Sequence, residues 1–260
     1  MLLALDIGNT HIVGGLFAGK KLTQTFRLAT DRQRTVDEHA ALLAQILALR
    51  GVGRAEVTAC ILASVVPPAT DVVTRAVQNV VGVRPLSVGG PGLKTGIAIV
   101  YDNPREVGAD RIVNAVAARE HNDGPVIVVD FGTATTFDCV SADGKYMGGV
   151  IVPGVQVSLD GLLERAAKLS RIELSAPPQV IGRNTPNAMQ SGVVFGYASL
   201  VDGLLQKIEK EMGAPCRTIA TGGLAELICA HTSLVEEIRP DLTLEGLRLI
   251  YSKNRGEPED

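Results

Sequence analysis

The chain has 260 residues, a hydrophobic content of 46%, a net charge of −3 at pH 7 and only 3% aromatic residues. This length suffices for one large domain or two of ordinary size, and the aliphatic composition suits buried strands covered by helices. The basic residues are scattered, which argues against an electrostatic surface for DNA or RNA, so no nucleic-acid partner is predicted.

The same composition argues against a membrane or secreted protein. No apolar stretch reaches the ~20 residues that a membrane helix needs, and Asp6 interrupts the apolar N-terminal run, as no signal peptide would. The cysteines are far apart, form no C-x-x-C pair and are interpreted as small buried hydrophobes; they are Cys60, Cys139, Cys216 and Cys229. We therefore predict a soluble cytoplasmic protein without a membrane partner.

The first half of the chain alternates between strand and helix patterns. Strands are predicted at 2–5, 12–17, 21–29, 57–65, 85–88 and 97–101, and helices at 35–50, 70–81 and 112–119. This order predicts α/β layering, with a polar connection at 102–111.

The second half repeats part of this order. Strands are predicted within 126–140, at 146–152 and at 218–220, and helices at 156–168, 189–212, from 225 and at 244–252. A Pro-containing loop is predicted at 171–187 and a frayed tail at 254–260. The turn at 122–125 divides the chain into predicted domains 1–121 and 122–260.

One acidic turn occurs in both halves. Asp6-Ile7-Gly8-Asn9-Thr10 and Asp130-Phe131-Gly132-Thr133 each follow an apolar strand and lead into a second strand. Glycine lets the turn approach a polyanion, Thr and Asn donate hydrogen bonds, and a carboxylate can position a hydrated cation. The repetition indicates a duplication, with two half-sites that grip nucleotide phosphates across a cleft; two ordinary hairpin turns are the alternative.

The segment Gly108-Ala109-Asp110-Arg111 is the best catalytic candidate. Gly and Ala leave the approach uncrowded, and the carboxylate and guanidinium lie in the first turn of a helix. A helix N-terminus is expected to lower the pKa of Asp110, which phosphoryl transfer tolerates because it asks mainly for orientation. The alternatives are a helix-dipole role for Asp110 and a surface ion pair for Arg111.

Three other features have weaker signals. Thr221-Gly222-Gly223 leaves bare backbone between a strand and a helix, which suits either a nucleotide or a tight turn. Tyr101 ends a strand before the candidate loop and is either a substrate contact or a core-edge aromatic. His11 is interpreted as a turn residue, and solvated or capping roles are assigned to Asp102, Asp138 and Asp160.

Taken in order, these motifs resemble the type III pantothenate kinases of the acetate/sugar kinase–Hsp70–actin superfamily. The resemblance covers nearly the whole chain and rests on the segments 6–10, 108–111, 130–136, 148–154, 221–225 and 240–247. It implies two duplicated ribonuclease-H-like (actin-like ATPase) halves, that is, an α/β fold of mixed sheets flanked by helices. It also implies phosphorylation of pantothenate to 4′-phosphopantothenate with ATP, the entry step to coenzyme A.

The resemblance implies roles for individual residues. Asp110 would accept the proton of the pantothenate hydroxyl, Asp6 would help to place Mg²⁺, and Asp130 would hold a monovalent cation, K⁺ or NH₄⁺. The implied ATP contacts are Asp6, Ile7, Gly8, Asn9, Thr10, His11, Ile12, Val13 and Thr133. The implied pantothenate contacts are Tyr101, Gly108, Ala109, Asp110, Arg111 and Thr185, and in the homodimer that the family forms Thr185 would act on the neighbouring site.

Two other functions stay open. One is a kinase of the same superfamily that acts on another hydroxyl, such as a sugar; the short chain disfavours it, because sugar kinases carry larger insertions. The other is a non-catalytic relative that senses nucleotide or regulates transcription, which the acidic residues Asp6, Asp110 and Asp130 disfavour.

Overall fold

A computed structural model describes residues 1–255 of the chain. Its strands are β1 (Leu2–Ile7), β2 (His11–Ala18), β3 (Lys21–Ala29), β4 (Ala59–Ser64), β5 (Leu86–Ser87), β6 (Ala98–Ile99), β7 (Val126–Phe131), β8 (Ala134–Val140), β9 (Lys145–Pro153), β10 (Arg217–Thr221) and β11 (Glu237–Ile238). Its α-helices are α1 (Val36–Leu49), α2 (Pro67–Val81), α3 (Ala109–Glu120), α4 (Val155–Arg165), α5 (Thr185–Met212), α6 (Ala225–Cys229) and α7 (Leu242–Arg255).

The chain forms two compact units. Among residues 1–255, unit 1 comprises residues 1–97, 102–117 and 242–255, and unit 2 comprises residues 98–101 and 118–241. The predicted domains 1–121 and 122–260 differ from these units chiefly in α7, which groups with the N-terminal unit. A close helix approach explains this, since a Cβ on Gly246 of α7 would lie 2.2 Å from the Val113 carbonyl oxygen of α3.

Unit 1 contains a five-stranded sheet in the order β3-β2-β1-β4-β5. β1 pairs antiparallel with β2 and parallel with β4, and the apolar run of β1 is buried because helices cover both faces. Leu3, Leu5 and Ile7 pack on one face with side chains of α1 and α2. Gly15 of β2 lies against Leu244 of α7 on the other face.

Unit 2 repeats this strand order. Its sheet runs β11-β10-β7-β8-β9-β6, in which β9-β8-β7-β10-β11 corresponds to β3-β2-β1-β4-β5, and β6 is an additional parallel edge strand. The mixed sheets and flanking helices confirm the predicted fold class and its duplicated halves. The core of unit 2 joins Ile127 and Val129 of β7 to Val194, Val201 and Leu205 of α5.

Several element bounds differ from the prediction. Helix α2 begins at Pro67, ahead of the predicted start at residue 70, because proline fits the first helical positions. Helix α5 begins at Thr185, within the predicted loop, because Asn184 caps it. Strand β11 was not predicted, and α7 continues through Arg255, so the predicted tail begins too early; residues 256–260 of that tail lie outside the described range.

Each helix within residues 1–255 is too short or too polar to cross a bilayer.

Candidate active site

The first acidic turn joins β1 to β2. Asp6 is half-buried at the end of β1, where it pairs with Val13 of β2 and Ala63 of β4. Residues 8–11 form the loop, and the Gly8 N–H donates to the His11 carbonyl at 3.0 Å. Thr30, just after β3, fixes this loop through its hydroxyl, which donates to the Gly8 carbonyl at 2.7 Å.

The predicted ATP contacts in this turn divide by exposure. Asn9, Thr10 and His11 are exposed, whereas Ile7 and Ile12 are buried in the core. The two isoleucines can therefore offer a ligand only backbone groups. The Asn9 side chain accepts a hydrogen bond from Arg32 at 2.9 Å, which places a cation beside the turn.

The second acidic turn joins β7 to β8 and is shorter by one residue. Its loop is 132–134, in which the Gly132 N–H donates to the Ala134 carbonyl at 3.0 Å. Asp130 is half-buried and Thr133 is exposed. The Thr133 carbonyl accepts from the Gly154 N–H at 3.1 Å, so the loop is tied to the start of α4.

Glycine backbone surrounds the Asp130 carboxylate. A Cβ on Gly222 would lie 2.7 Å from Asp130 Oδ1, and one on Gly132 would lie 3.6 Å from it. Gly222 also has φ +96°, a conformation that other residues rarely adopt. A carboxylate beside bare backbone is an oxygen-rich setting that fits a hard cation held by one acidic residue, carbonyls and water. Within residues 1–255, no group of three or more His, Cys, Asp and Glu could form a metal site.

Asp110 lies in the first turn of α3 and is half-buried. Its Oδ1 accepts a hydrogen bond from the Arg111 N–H at 2.8 Å. A Cβ on Gly108 would lie 2.4 Å from this oxygen, so a side chain at position 108 would clash with the carboxylate in its present position. Burial raises the pKa of Asp110, while the Arg111 N–H and guanidinium oppose that rise. The N–H groups of the helix N-terminus do lower this pKa as predicted, but the predicted net lowering is wrong, because desolvation outweighs them.

Arg111 and Asp138 also differ from their predicted settings. Arg111 is only 7% exposed, so it is not part of a surface ion pair. Asp138 is fully buried in β8, where it accepts a hydrogen bond from the Tyr146 hydroxyl at 2.8 Å and one from the Thr136 hydroxyl at 3.2 Å. Its interpretation as a solvated or capping residue is wrong, because neighbouring hydroxyls replace water around it.

Tyr101 follows β6 and is 38% exposed. The Val100 N–H donates to the Tyr146 carbonyl at 2.8 Å, which extends the pairing with β9 up to Tyr101. The rings of Tyr101 and Tyr146 are 6.5 Å apart. The fixed backbone and the neighbouring ring hold a half-exposed aromatic side chain at the sheet edge.

Thr185 is the exposed first residue of α5. It lines a groove of about 770 Å³ on unit 2, together with Leu159, Leu162, Met189 and Val193. Next to it, the Asn184 side chain accepts from the Asn187 N–H at 2.8 Å and so caps the helix. Thr185 thus lies at the polar end of a largely apolar groove.

The candidate residues fall into two groups by unit. Unit 1 holds the first acidic turn, 6–13, and the loop 108–111, whereas unit 2 holds Tyr101, Asp130, Thr133 and Thr185. Sequence reasoning missed Thr30 and the Tyr146–Asp138 pair. The pair could have been suspected from the sequence, because a Tyr and an Asp occur on adjacent predicted strands of a chain with few aromatic residues.

A sequence model described as type III pantothenate kinase matches residues 2–207 of the chain. The chain belongs to the type III pantothenate kinase family. A type III pantothenate kinase of Myxococcus xanthus is 49% identical over 254 residues, which cover 98% of this chain and 99% of that protein. Another, of Moorella thermoacetica, is 50% identical over 254 residues, which cover 98% of this chain and 100% of that protein.

Solved structures support the fold of this type III pantothenate kinase family member. A protein described as a conserved putative Baf family transcriptional activator from Campylobacter jejuni superposes with a TM-score of 0.60 at 20% identity, covering 98% of this chain and 99% of that one. A ROK family glucokinase from Streptomyces griseus, in complex with glucose and AMPPNP, superposes with a TM-score of 0.52 at 12% identity, covering 96% of this chain and 98% of that one. At these identities the likeness concerns the fold alone.

Proposed function

We propose that the protein transfers a phosphoryl group from ATP to the hydroxyl of pantothenate, giving ADP and 4′-phosphopantothenate, the first step of coenzyme A biosynthesis. The observation that carries this proposal is the 49% identity, over 98% of the chain, to a protein named type III pantothenate kinase. Asp6, Asp110 and Asp130 support a catalytic rather than a merely nucleotide-sensing protein.

Asp110 is proposed as the proton acceptor. The pantothenate hydroxyl oxygen forms a bond to the γ-phosphorus, the bond from that phosphorus to the β,γ-bridging oxygen breaks, and the hydroxyl proton passes to the Asp110 carboxylate. Burial raises the pKa of Asp110, which brings its basicity closer to neutral pH and so favours proton uptake. The flanking Gly108 and Ala109 leave room for the substrate, and the buried Arg111 offers a fixed cation for its carboxylate or for the moving phosphoryl group.

The first acidic turn is proposed to bind the ATP phosphates. Its exposed donors are Asn9, Thr10 and His11, and the remaining contacts of the segment Asp6 to Val13 come from backbone. Thr133 of the second turn is exposed and is proposed as a further ATP contact. Asp6 is proposed to help hold Mg²⁺, which when bound would neutralise charge on the phosphates.

Asp130 is proposed to hold the monovalent cation, K⁺ or NH₄⁺. The carboxylate lies beside the backbone of Gly132 and Gly222. Because these residues have no side chains, backbone carbonyl oxygens nearby can reach a bound cation. A bound cation would supply a fixed positive charge near the nucleotide.

A homodimer is proposed from the apolar surface of unit 2. Leu162 lines the groove and is 44% exposed, and Val180 and Ile181, which precede the groove residue Gly182, are 69% and 81% exposed. Apolar side chains grouped in this way favour a protein partner, and a second copy would bring Thr185 to a neighbouring site. Ile181→Asp should therefore shift the molar mass in light scattering from dimer to monomer; an unchanged mass would contradict this interface.

The proposed compartment is the cytoplasm. Among residues 1–255 the four cysteines form no disulfide, and three of them are buried, as expected where thiols stay reduced.

One coupled assay tests the function. The protein receives ATP, Mg²⁺, K⁺ and pantothenate, and ADP release is measured against parallel reactions that contain glucose or no acceptor, with Asp110→Asn as the inactive control. Release that depends on pantothenate is expected. ADP release with glucose but not with pantothenate would support a sugar kinase, as the fold shared with the glucokinase allows. No ADP release with either acceptor would support a non-catalytic protein.

A further inference from the structure

A buried polar pair lies directly behind Tyr101. Tyr146 is fully buried, and its hydroxyl donates to the Asp138 carboxylate at 2.8 Å. Asp138 is fully buried too and accepts a second hydrogen bond from Thr136 at 3.2 Å. Burying a carboxylate is costly unless it is well bonded, so these hydroxyls restrict where both side chains can lie.

The Tyr101 ring packs against the Tyr146 ring of this pair. Its centroid lies 6.5 Å from that of Tyr146, with the ring planes at 48°, which is a favourable distance for an aromatic pair. On another side it covers Gly148, where a Cβ would come within 3.4 Å of the Tyr101 ring. Gly148 has φ +117° and no side chain, so the Tyr101 ring lies directly beside the β9 backbone.

We infer that Tyr146, oriented by Asp138, is a positioning residue that fixes the Tyr101 ring for the acceptor substrate. The inference rests on the proposed function, in which Tyr101 contacts pantothenate. The Tyr146 ring is fully buried and does not reach the solvent-facing side of Tyr101, so its effect is transmitted through the ring it supports. Removing the Tyr146 hydroxyl frees its ring to turn and loosens the surface behind Tyr101.

The test variant is Tyr146→Phe, which keeps the ring and deletes the hydroxyl. The expected result is a rise of about fivefold in KM for pantothenate, the size of a lost aromatic contact, with KM for ATP and kcat changed less than twofold. In the Tyr101→Ala background the same substitution should add nothing, since the supported ring is gone.

The matched control is Thr218→Val in the same sheet. Thr218 is buried, its hydroxyl donates to the Leu234 carbonyl and accepts from the Glu236 N–H at 3.1 Å, and valine replaces that hydroxyl with a methyl group of similar size. The control should lower the melting temperature about as much as Tyr146→Phe does and leave KM for pantothenate unchanged.

Three results would overturn the inference: an equal KM in Tyr146→Phe and in Thr218→Val, an undiminished KM effect of Tyr146→Phe in the Tyr101→Ala background, or a crystal structure of Tyr146→Phe with the Tyr101 ring unmoved. The crystal structure reads out the positioning even without turnover. Failure of the proposed function would appear separately, as wild-type protein that releases no ADP with pantothenate.

Discussion

The acidic turns of the two units have the same strands around them and different loops. Asp6 and Asp130 are both half-buried on the central strand of a sheet with the same strand order. The loop is 8–11 in unit 1 and 132–134 in unit 2. On the neighbouring parallel strand, Asp6 pairs with Ala63, which is followed by Ser64, whereas Asp130 pairs with Thr221, which is followed by Gly222.

This difference separates two kinds of site. In unit 1 the end of β4 carries side chains, and Val65 lies 3.5 Å from the Cβ position of Gly108, so the Asp110 loop is supported by apolar contact. In unit 2 the strand β10 is followed by Gly222, which places no side chain against the Asp130 carboxylate. The duplicated strands place a carboxylate in each unit, and the segments that follow decide its chemistry.

The largest expected effect comes from the Asp110 loop of unit 1. Asp110→Asn should lower kcat about 10²–10⁴-fold, because the hydroxyl proton loses its acceptor. Since burial raises the pKa of Asp110, its ionised form costs stability above that pKa, and the variant should unfold at the same or a higher temperature at pH 7. The control is Asp102→Asn, an exposed carboxylate of the preceding connection; equal turnover in the two variants would remove Asp110 from the mechanism.

The bare end of β10 should tolerate no side chain. Gly222→Ala places a Cβ 2.7 Å from Asp130 Oδ1 and from the Phe131 backbone at φ +96°, so its free energy of unfolding should fall by about 3 kcal/mol or more. Gly213→Ala, at φ +71° with nothing within 4 Å of its Cβ, should cost about 1–2 kcal/mol from backbone strain alone. Urea unfolding measures both, and equal costs would mean that the space beside Asp130 is not needed.

The two aspartates should respond to different cations. Asp130→Asn should lower activity in K⁺ about tenfold and abolish the difference between K⁺ and Na⁺. Asp6→Asn should keep that difference and raise the Mg²⁺ concentration needed for half-maximal activity. Steady-state rates in the two salts and across a Mg²⁺ series measure this; the same response in both variants would contradict the separate assignments.

The smallest expected effect concerns acid stability. Unit 1 buries the His39 Nε2 and unit 2 the Thr135 Oγ1 without a hydrogen-bond partner among residues 1–255, and only the histidine can bind a proton. Burial lowers the pKa of His39, as does Arg34, while Asp31 and Glu38 oppose the shift. The unfolded chain therefore binds the proton more tightly, and the free energy of unfolding should fall as the pH drops below about 6.5.

Hydrogen exchange at several pH values can test this. The protection factors, which are corrected for the intrinsic pH dependence of exchange, should fall more at pH 5.5 in β1 and β2 than in β7 and β8, and His39→Leu should remove the difference. His121→Gln, which changes an exposed histidine, is the control. An equal loss of protection in both units of the wild-type protein would show that His39 does not set the acid response.

The strands and both acidic turns were predictable because their signals are local. An apolar run such as Val126–Val129 that ends in aspartate and glycine predicts a buried strand and its turn without reference to distant residues. Helix α5 was predicted, but its start was placed too late. Asn184 and Pro186 mark the start of the helix, but they lie in a segment that was predicted to be a loop. The family resemblance was equally available, because it consists of short motifs in order.

The fold class, the duplication and the family follow from local patterns and their order along the chain, so the amino-acid sequence is enough to predict them. Three features emerge only in the folded chain: α7 groups with unit 1, Asp138 is buried and bonded to Tyr146, and burial raises the pKa of Asp110. Each of these depends on contacts between residues far apart in sequence. Desolvation is set by what packs around a group, and the residue's own neighbours in the chain do not reveal it.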